Sequence, residues 1–259
     1  MEKVKALMRI LAWVVVIGLP LYFMIAAWGS RFGLFEWKFG FGKMIFAWGL
    51  PLMVASLIIG VIALVTSFLP VRRRGAILVA ILAIIIPVGA MAYANNFKTI
   101  AGSLPFIHDV TTDRQDPPMF SQTMLDMRGA GANSPDYIGK KDPRGTELVS
   151  VLQAKGYPDI APQNFAAGPQ KVSAAAAMVM RDNYGEINMV QGGGETTLEG
   201  THESFWFGFK DDVIIRVRGD GNGGSIVDMR SLSRVGGSDV GANAARIRML
   251  QTQLDKIVD

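Results

Sequence analysis

Three long apolar runs without a charged residue constrain the fold of this chain more than any other feature. They are Ile10–Trp28, Met44–Leu69 and Ala76–Ala94, and each contains at least nineteen residues. A helix rising about 1.5 Å per residue needs roughly 20 apolar residues to cross the hydrocarbon core of a bilayer. Buried core helices rarely supply three such runs in one chain. The sequence therefore predicts three transmembrane helices within residues 1–95.

A proline lies inside each run, at Pro20, Pro51 and Pro87. Proline removes a backbone hydrogen bond and kinks a helix, and neighbouring helices can compensate for the lost bond. Broken helices of transporters are one interpretation of this pattern. Those helices hold substrate with charged or strongly polar groups, which these runs lack. We predict simple kinks and no transport path.

Charge is divided unevenly along the chain. Residues 1–95 carry nine Lys or Arg and two Asp or Glu, whereas residues 96–259 carry seventeen and twenty. A nucleic-acid-binding protein would place its basic excess on the soluble part, so we expect no nucleic-acid partner. The absence of cysteine from the sequence excludes disulfides, thiolate catalysis and cysteine-ligated zinc.

Basic residues beside the apolar runs predict the orientation. They are Lys3, Lys5, Arg9, Arg72, Arg73 and Arg74. The positive-inside rule makes these flanks cytoplasmic, and three spans then carry the following chain across the membrane. We expect a bacterial inner-membrane protein with a cytoplasmic N terminus, a periplasmic C-terminal domain and no cleavable signal peptide. The aromatic-rich connection between the first two runs, residues 29–43, is expected in the lipid headgroup region.

Residues 96–168 are punctuated by proline and glycine and show no strong period. Such a segment is either a flexible linker or chain that packs over a domain. Its apolar residues favour packing: they include Phe106, Ile107, Val110, Met119 and Phe120.

Residues 169–259 show regular patterns. A helix is predicted from about Pro169 and another from about Val240 to Ile257, each with one apolar stripe. Four strands lie between them, in GEINMVQ, ETTLEGTHESFWFGF, DDVIIRVRG and GSIVDMRSLSR. Their short connections favour an antiparallel meander. We predict a membrane-anchored α+β protein, with three transmembrane helices followed by a four-stranded antiparallel sheet covered on one face by two helices.

Several candidate catalytic or cofactor motifs lack their necessary context. The glycine-rich stretch 219–224 leads into a strand rather than a helix, which indicates a hairpin turn and not a phosphate loop. His202 has no second histidine at zinc-site spacing, and His108 with Asp109 is a weak acid–base candidate without a nucleophile motif. We expect no metal and no cofactor.

Arginines on the last two strands form the strongest candidate binding site. If Arg216 opposes Asp228, then Arg218 and Arg230 share their face. The complete candidate set is Arg216, Arg218, Asp228, Arg230, Arg234 and Arg246. One interpretation is an anion, a lipid headgroup or an acidic partner held by guanidinium groups. The other is a solvated sheet face with offsetting ion pairs, each of little energetic value.

The stretch SLSRVGGSDVGANAARIR, residues 231–248, contains three of the chain's arginines and a predicted helix start. Gly236 and Gly237 allow a sharp turn with positive φ. Ser238 or Asp239 is the expected cap of the last helix. Most of the stretch is therefore explained as the joint between a strand and a helix.

Three blocks together resemble a known family: IHDVTTDRQDPPMF, then YPDIAP, then the stretch from WFGFKDDV to NAARIR. The chain resembles the bacterial and plastid domain-of-unknown-function family 1499 over roughly Ser103–Leu254. The resemblance implies a coherent fold and a membrane-associated role, and it implies no reaction, ligand or catalytic residue. The insert within residues 129–145 matches no block of the family.

These observations favour a non-enzymatic accessory protein whose periplasmic domain binds a partner protein, a lipid or a larger membrane complex. An envelope enzyme, or a lipid-modifying accessory, that uses His108, Asp109 and the arginine face is the alternative left open.

Overall fold

A computed structural model describes residues 2–69 and 74–258. The chain divides into two compact units. The first contains Met1–Ile100 together with Phe205–Gly208, and the second contains Ala101–Ser204 and Phe209–Asp259.

The first unit is built from long helices. They are α1 (Glu2–Arg31), a π-helix (Lys38–Ala47), α2 (Gly49–Ser67) and α3 (Arg74–Ser103). The three α-helices are long and apolar enough to cross a membrane. Arg72 and Arg73, on which the predicted orientation partly depends, lie outside the described residues.

Two of the three prolines lie well inside a helix, as expected. Pro20 is in α1 and Pro87 is in α3. Pro51 differs, because α2 begins only at Gly49, after the π-helix. In the first turn of a helix the backbone N–H has no intrahelical partner, so Pro51 breaks no helical hydrogen bond.

The second unit is α+β. Its elements are β1 (Asp109–Thr111), α4 (Gln122–Arg128), α5 (Val149–Gly156), β2 (Gln163–Phe165), α6 (Pro169–Tyr184), β3 (Asn188–Gly192), β4 (Glu195–Glu203), β5 (Lys210–Gly219), β6 (Ser225–Ser233) and α7 (Ala242–Val258).

The sheet has six antiparallel strands, so the predicted number of four was wrong. The order is β1-β6-β5-β4-β3, and β2 also pairs with β6. The two additional strands come from the segment 96–168 and have three residues each. Three residues are too few to show the alternation that identifies a strand in a sequence.

Helices α6 and α7 cover one face of the sheet, as predicted. Val213, Ile215 and Val217 of β5 belong to the same buried core as the apolar stripes of both helices. On the other face Phe120 and Met124 pack against Ile214 and Leu232. Residues 113–140, which we call the covering segment, supply the contacts on that face.

The predicted length of the second meander strand was also wrong. β4 ends at Glu203, and Phe205–Gly208 belong to the first unit rather than to the strand. Residues 205–207 form a turn instead of continuing the strand.

The joint before α7 has the predicted turn and cap. Gly236 has φ +89°. Asp239 Oδ1 and Oδ2 accept hydrogen bonds from the N–H groups of Gly241 and Asn243, both at 2.9 Å. Capping by a carboxylate satisfies donors at the start of the helix and suits its positive end.

Candidate functional site

The arginine face lies on the side of β5 and β6 that faces away from α6 and α7. Arg216 is registered opposite Asp228, the pairing on which the candidate site was conditional, and Arg230 is opposite Ile214. We call Asp212, Arg216, Asp228 and Arg230 the polar face. All four residues are buried.

Arg230 and Asp109 form a fully buried ion pair on the β1 side of the polar face. Nε and Nη2 of Arg230 donate to the two oxygens of Asp109 at 2.9 and 2.8 Å. The guanidinium also donates to the carbonyl oxygens of Pro118 and Pro135. Lys140 Nζ lies 3.3 Å from Asp109 Oδ2. This pair is bidentate, and its arginine is closed in by the covering segment.

Asp212 is shared by two arginines. Arg128 of α4 donates to its Oδ2 at 2.5 Å, and Arg234 donates to its Oδ1 at 2.7 Å. Thr201 Oγ1 donates to Oδ1 at 2.9 Å. A buried carboxylate at 0% exposure with two cationic neighbours is stable only because these charges and hydrogen bonds are matched.

Asp228 lies at the end of the polar face that is farther from Asp212. Its Oδ2 accepts from Arg216 Nη2 at 2.8 Å and from Arg218 Nε at 3.1 Å. Arg216 Nη2 also lies 3.0 Å from a carboxylate oxygen of Asp116. Asp228 Oδ1 has no hydrogen-bond partner among the residues that the structure describes. Arg218 is the most accessible arginine of the candidate set, with 34% of its side chain exposed.

Arg246 does not join the polar face. It lies on the side of the sheet covered by α7, where Nη2 donates to Asp211 Oδ2 at 2.7 Å and Nη1 donates to Ser231 Oγ at 2.8 Å. Arg234 does join, through Asp212. The candidate set therefore divides between the two sides of the sheet.

The face is neither open to solvent nor free to hold an anion with all its guanidinium groups. The covering segment supplies two basic residues that the sequence analysis did not identify: Lys140, which lies near Asp109, and Arg128, which pairs with Asp212. Part of the unexplained insert 129–145 belongs to this cover, because Asn133 Nδ2 donates to the carbonyl oxygens of Ser233 and Gly236.

His108 and Asp109 do not form a hydrogen-bonded acid–base pair: His108 Nε2 is buried and has no hydrogen-bond partner among the described residues. His108 is buried, and its Nδ1 lies 3.3 Å from the carbonyl oxygen of Gly237. Both Asp109 oxygens are occupied by Arg230. Burial lowers the pKa of His108, and the positive charge of Lys140 lowers it further.

His202 is partly buried and is registered opposite Asp211. Desolvation and the positive charge of Arg246 lower its pKa. No group of three or more His, Cys, Asp or Glu side chains in the described ranges is arranged to hold a metal ion.

The two histidines predict a pH dependence. Both pKa values are lowered on folding, so the unfolded chain is protonated first and the unfolding free energy falls as the pH drops below about 6.5. We therefore compare the wild type with a His108→Asn/His202→Asn variant. As the pH is lowered from 7 to 5, the unfolding free energy of the wild type should fall relative to that of the variant. Chemical denaturation at both pH values measures it.

Asp239 has the opposite effect on the pH dependence of stability, but its contribution is the same in both proteins and cancels in this comparison. Burial raises its pKa from 3.8 to about 6, so it favours the folded state as the pH falls from about 6 towards 4. Because both proteins contain Asp239, their difference reports the histidines. An unchanged difference across the pH range would contradict the assignment.

Comparison with known proteins adds one finding. The model of a family described as "Protein of unknown function (DUF1499)" matches residues 109–254, more than half of the chain. No curated protein and no solved structure matches it.

Proposed function

Because this chain belongs to the DUF1499 family of proteins of unknown function, we propose its role from its own geometry: it is a membrane-anchored, non-catalytic accessory protein whose α+β domain binds a partner protein along one sheet edge. The observation that carries this proposal is the difference between the two edges of the sheet.

The polar face supports a structural role for the arginines. Asp109, Asp212 and Asp228 are each at 0% exposure and each accept hydrogen bonds from arginine. An enzyme that used Asp109 would have to break its bidentate pair with Arg230 and displace the covering segment. The geometry therefore favours a binding role over the catalytic alternative.

The β1 edge is closed by a side chain that imitates a strand. Gln153 Nε2 donates to the carbonyl oxygen of Thr111 at 2.6 Å, and the Thr111 N–H donates to Gln153 Oε1 at 3.0 Å. Tyr137 also donates to Oε1, at 2.9 Å. The N–H and C=O of Thr111, which another strand would use, are thus already satisfied.

The β3 edge has no such cover. In the described part of the chain, β3 pairs with β4 alone and no further strand lies outside it. Met189 and Val190 are 40% and 43% exposed. Edge strands are commonly protected by charges, proline or bulges, but Asn188–Gly192 contains neither charge nor proline.

We assign this edge to an extended, uncharged segment of a partner protein, which would pair with β3 by strand addition. Backbone hydrogen bonds would supply affinity, and apolar contacts with the exposed side chains of Met189 and Val190 would supply specificity. Gly192–Gly194 have no side chains to obstruct an approaching backbone, and a Cβ there would meet nothing within 4 Å.

Amide hydrogen exchange tests this assignment. We expect β3 amides to exchange at least about tenfold more slowly in native membranes than in the purified full-length chain, because a paired strand protects them. Val190→Lys should abolish the difference. Met178→Lys is the matched control, since Met178 is 55% exposed on α6.

Equal exchange in membranes and in purified protein would refute the proposal. Protection that persists after purification and declines on dilution would instead identify a second copy of this chain as the occupant.

The orientation is part of the same proposal: an inner-membrane protein with a cytoplasmic N terminus and a periplasmic α+β domain. Lys3, Lys5 and Arg9 before the apolar part of α1 support it. An alkaline phosphatase moiety fused after Asp259 should be active, because that enzyme folds only outside the cytoplasm. A stable but inactive fusion, with an active cytoplasmic reporter at the same position, would reverse the orientation.

A further inference from the structure

The segment Phe205–Gly208 connects β4 to β5 in the sequence but belongs to the helical unit. Arg31, the last residue of α1, donates from Nη1 to the carbonyl oxygen of Phe205 at 2.6 Å. Trp206 stacks on Trp28 of α1, with ring centroids 6.2 Å apart. The segment is therefore fixed at the C-terminal end of a helix that is apolar enough to span a membrane.

Phe207 completes the attachment to the helical unit. Its ring packs edge-on against Phe41 of the π-helix, with centroids 5.0 Å apart. Gly208 permits this close approach, since a Cβ there would lie 3.2 Å from Arg31 Cγ and 3.3 Å from Arg31 Cα. Its φ of +66° also favours glycine.

Two of the three aromatic side chains remain largely exposed. Phe205 is 65% exposed and Trp206 is 54% exposed. Phe46 of the π-helix and Trp48, which follows it in the same unit, are 63% and 50% exposed. Exposed aromatic side chains of this kind are unfavourable in water and typical of a membrane interface, where a tryptophan buries its ring and keeps its indole N–H hydrated.

We propose that Phe205 and Trp206 form an interfacial membrane anchor, which inserts into the boundary between headgroups and acyl chains at the end of α1. The occupant of this surface is lipid, because the segment is continuous with the apolar surface of the candidate spans. Arg31 lies at the level where a basic side chain meets headgroup phosphates. The anchor is independent of the partner assigned to β3.

Single-cysteine labelling tests the anchor, since the chain has no native cysteine. The full-length Phe205→Cys variant carries an environment-sensitive fluorophore in vesicles of phosphatidylethanolamine and phosphatidylglycerol. We expect strong quenching by a nitroxide at a shallow acyl position, and iodide quenching several-fold weaker than at Asn222→Cys. Asn222 is exposed in the glycine-rich β5–β6 turn, which has no aromatic residue.

A second pair of variants separates insertion from the effect of the label. In the Phe205→Cys background, Trp206→Ser should raise iodide quenching towards the Asn222→Cys level, whereas Trp206→Phe should preserve lipid quenching. Equal iodide access at positions 205 and 222 would overturn the proposal. Identical behaviour of Trp206→Ser and Trp206→Phe would also overturn it, because the aromatic ring would then contribute nothing.

Discussion

Asp212→Ala is expected to unfold the α+β domain under conditions in which the wild type is folded. The substitution leaves Arg128 and Arg234 without the carboxylate that neutralises both, and Arg128 has only 3% of its side chain exposed. Breaking one buried ion pair costs about 3–5 kcal/mol, which is a large part of the roughly 5–15 kcal/mol that stabilises a domain. Pulse proteolysis of the full chain in mild detergent, over a urea series, measures this loss.

Asp159→Ala is the matched control for that prediction. Asp159 accepts two hydrogen bonds from Arg248, at 2.5 and 2.8 Å, so the pair is bidentate like the buried ones. It is also exposed, with 54% of the Asp159 side chain accessible. An exposed pair contributes below about 1 kcal/mol, so the control should remain near wild-type stability. Equal losses for both variants would contradict a dominant role of burial.

The second large effect concerns the Arg230–Asp109 pair. Asp109→Ala leaves the Arg230 guanidinium at 0% exposure without a carboxylate partner, and we expect a loss of about 3–5 kcal/mol. Lys140 loses the same partner but retains some solvent access, with 13% of its side chain exposed. It should contribute less to the loss. The same urea series with pulse proteolysis provides the measurement.

The double variant Asp109→Leu/Arg230→Met tests whether the loss of stability comes from an unpaired buried charge or from lost contacts. Because it removes both buried charges together, it should recover at least about half of the loss caused by Asp109→Ala. The carbonyl groups of Pro118 and Pro135 lose their donors, so full recovery is not expected. A double variant as unstable as the single one would show that desolvated charge is not the cause.

Local patterns were sufficient for much of the fold. The stripes of α6 and α7 and the alternation of β5 and β6 identified these elements, and the alternation also showed that Arg216 and Arg218 share one face of β5. These features depend on residues a few positions apart. β1 and β2 were missed because their identity depends on pairing with β6, which is distant in the sequence.

The ion-pair partners of the arginines were also hard to predict, because these partners are distant in the sequence. Arg230 and Asp109 are separated by 121 positions, and Arg128 and Asp212 by 84. A sequence shows which charges share a strand face, but a covering segment of irregular chain gives no periodic signal of where it packs. The excess of acids in the soluble half was the available sign that the arginines could be neutralised internally.

Hydrogen exchange of β3 in native membranes tests the central claim most directly when two variants are compared. Val190→Lys alters the open edge, and Arg218→Ala alters the most accessible arginine of the candidate face. If the edge binds the partner and the arginines stabilise the fold, β3 protection is lost in Val190→Lys and retained in Arg218→Ala. Protection retained in Val190→Lys and lost in Arg218→Ala would contradict the account and place the partner on the arginine face.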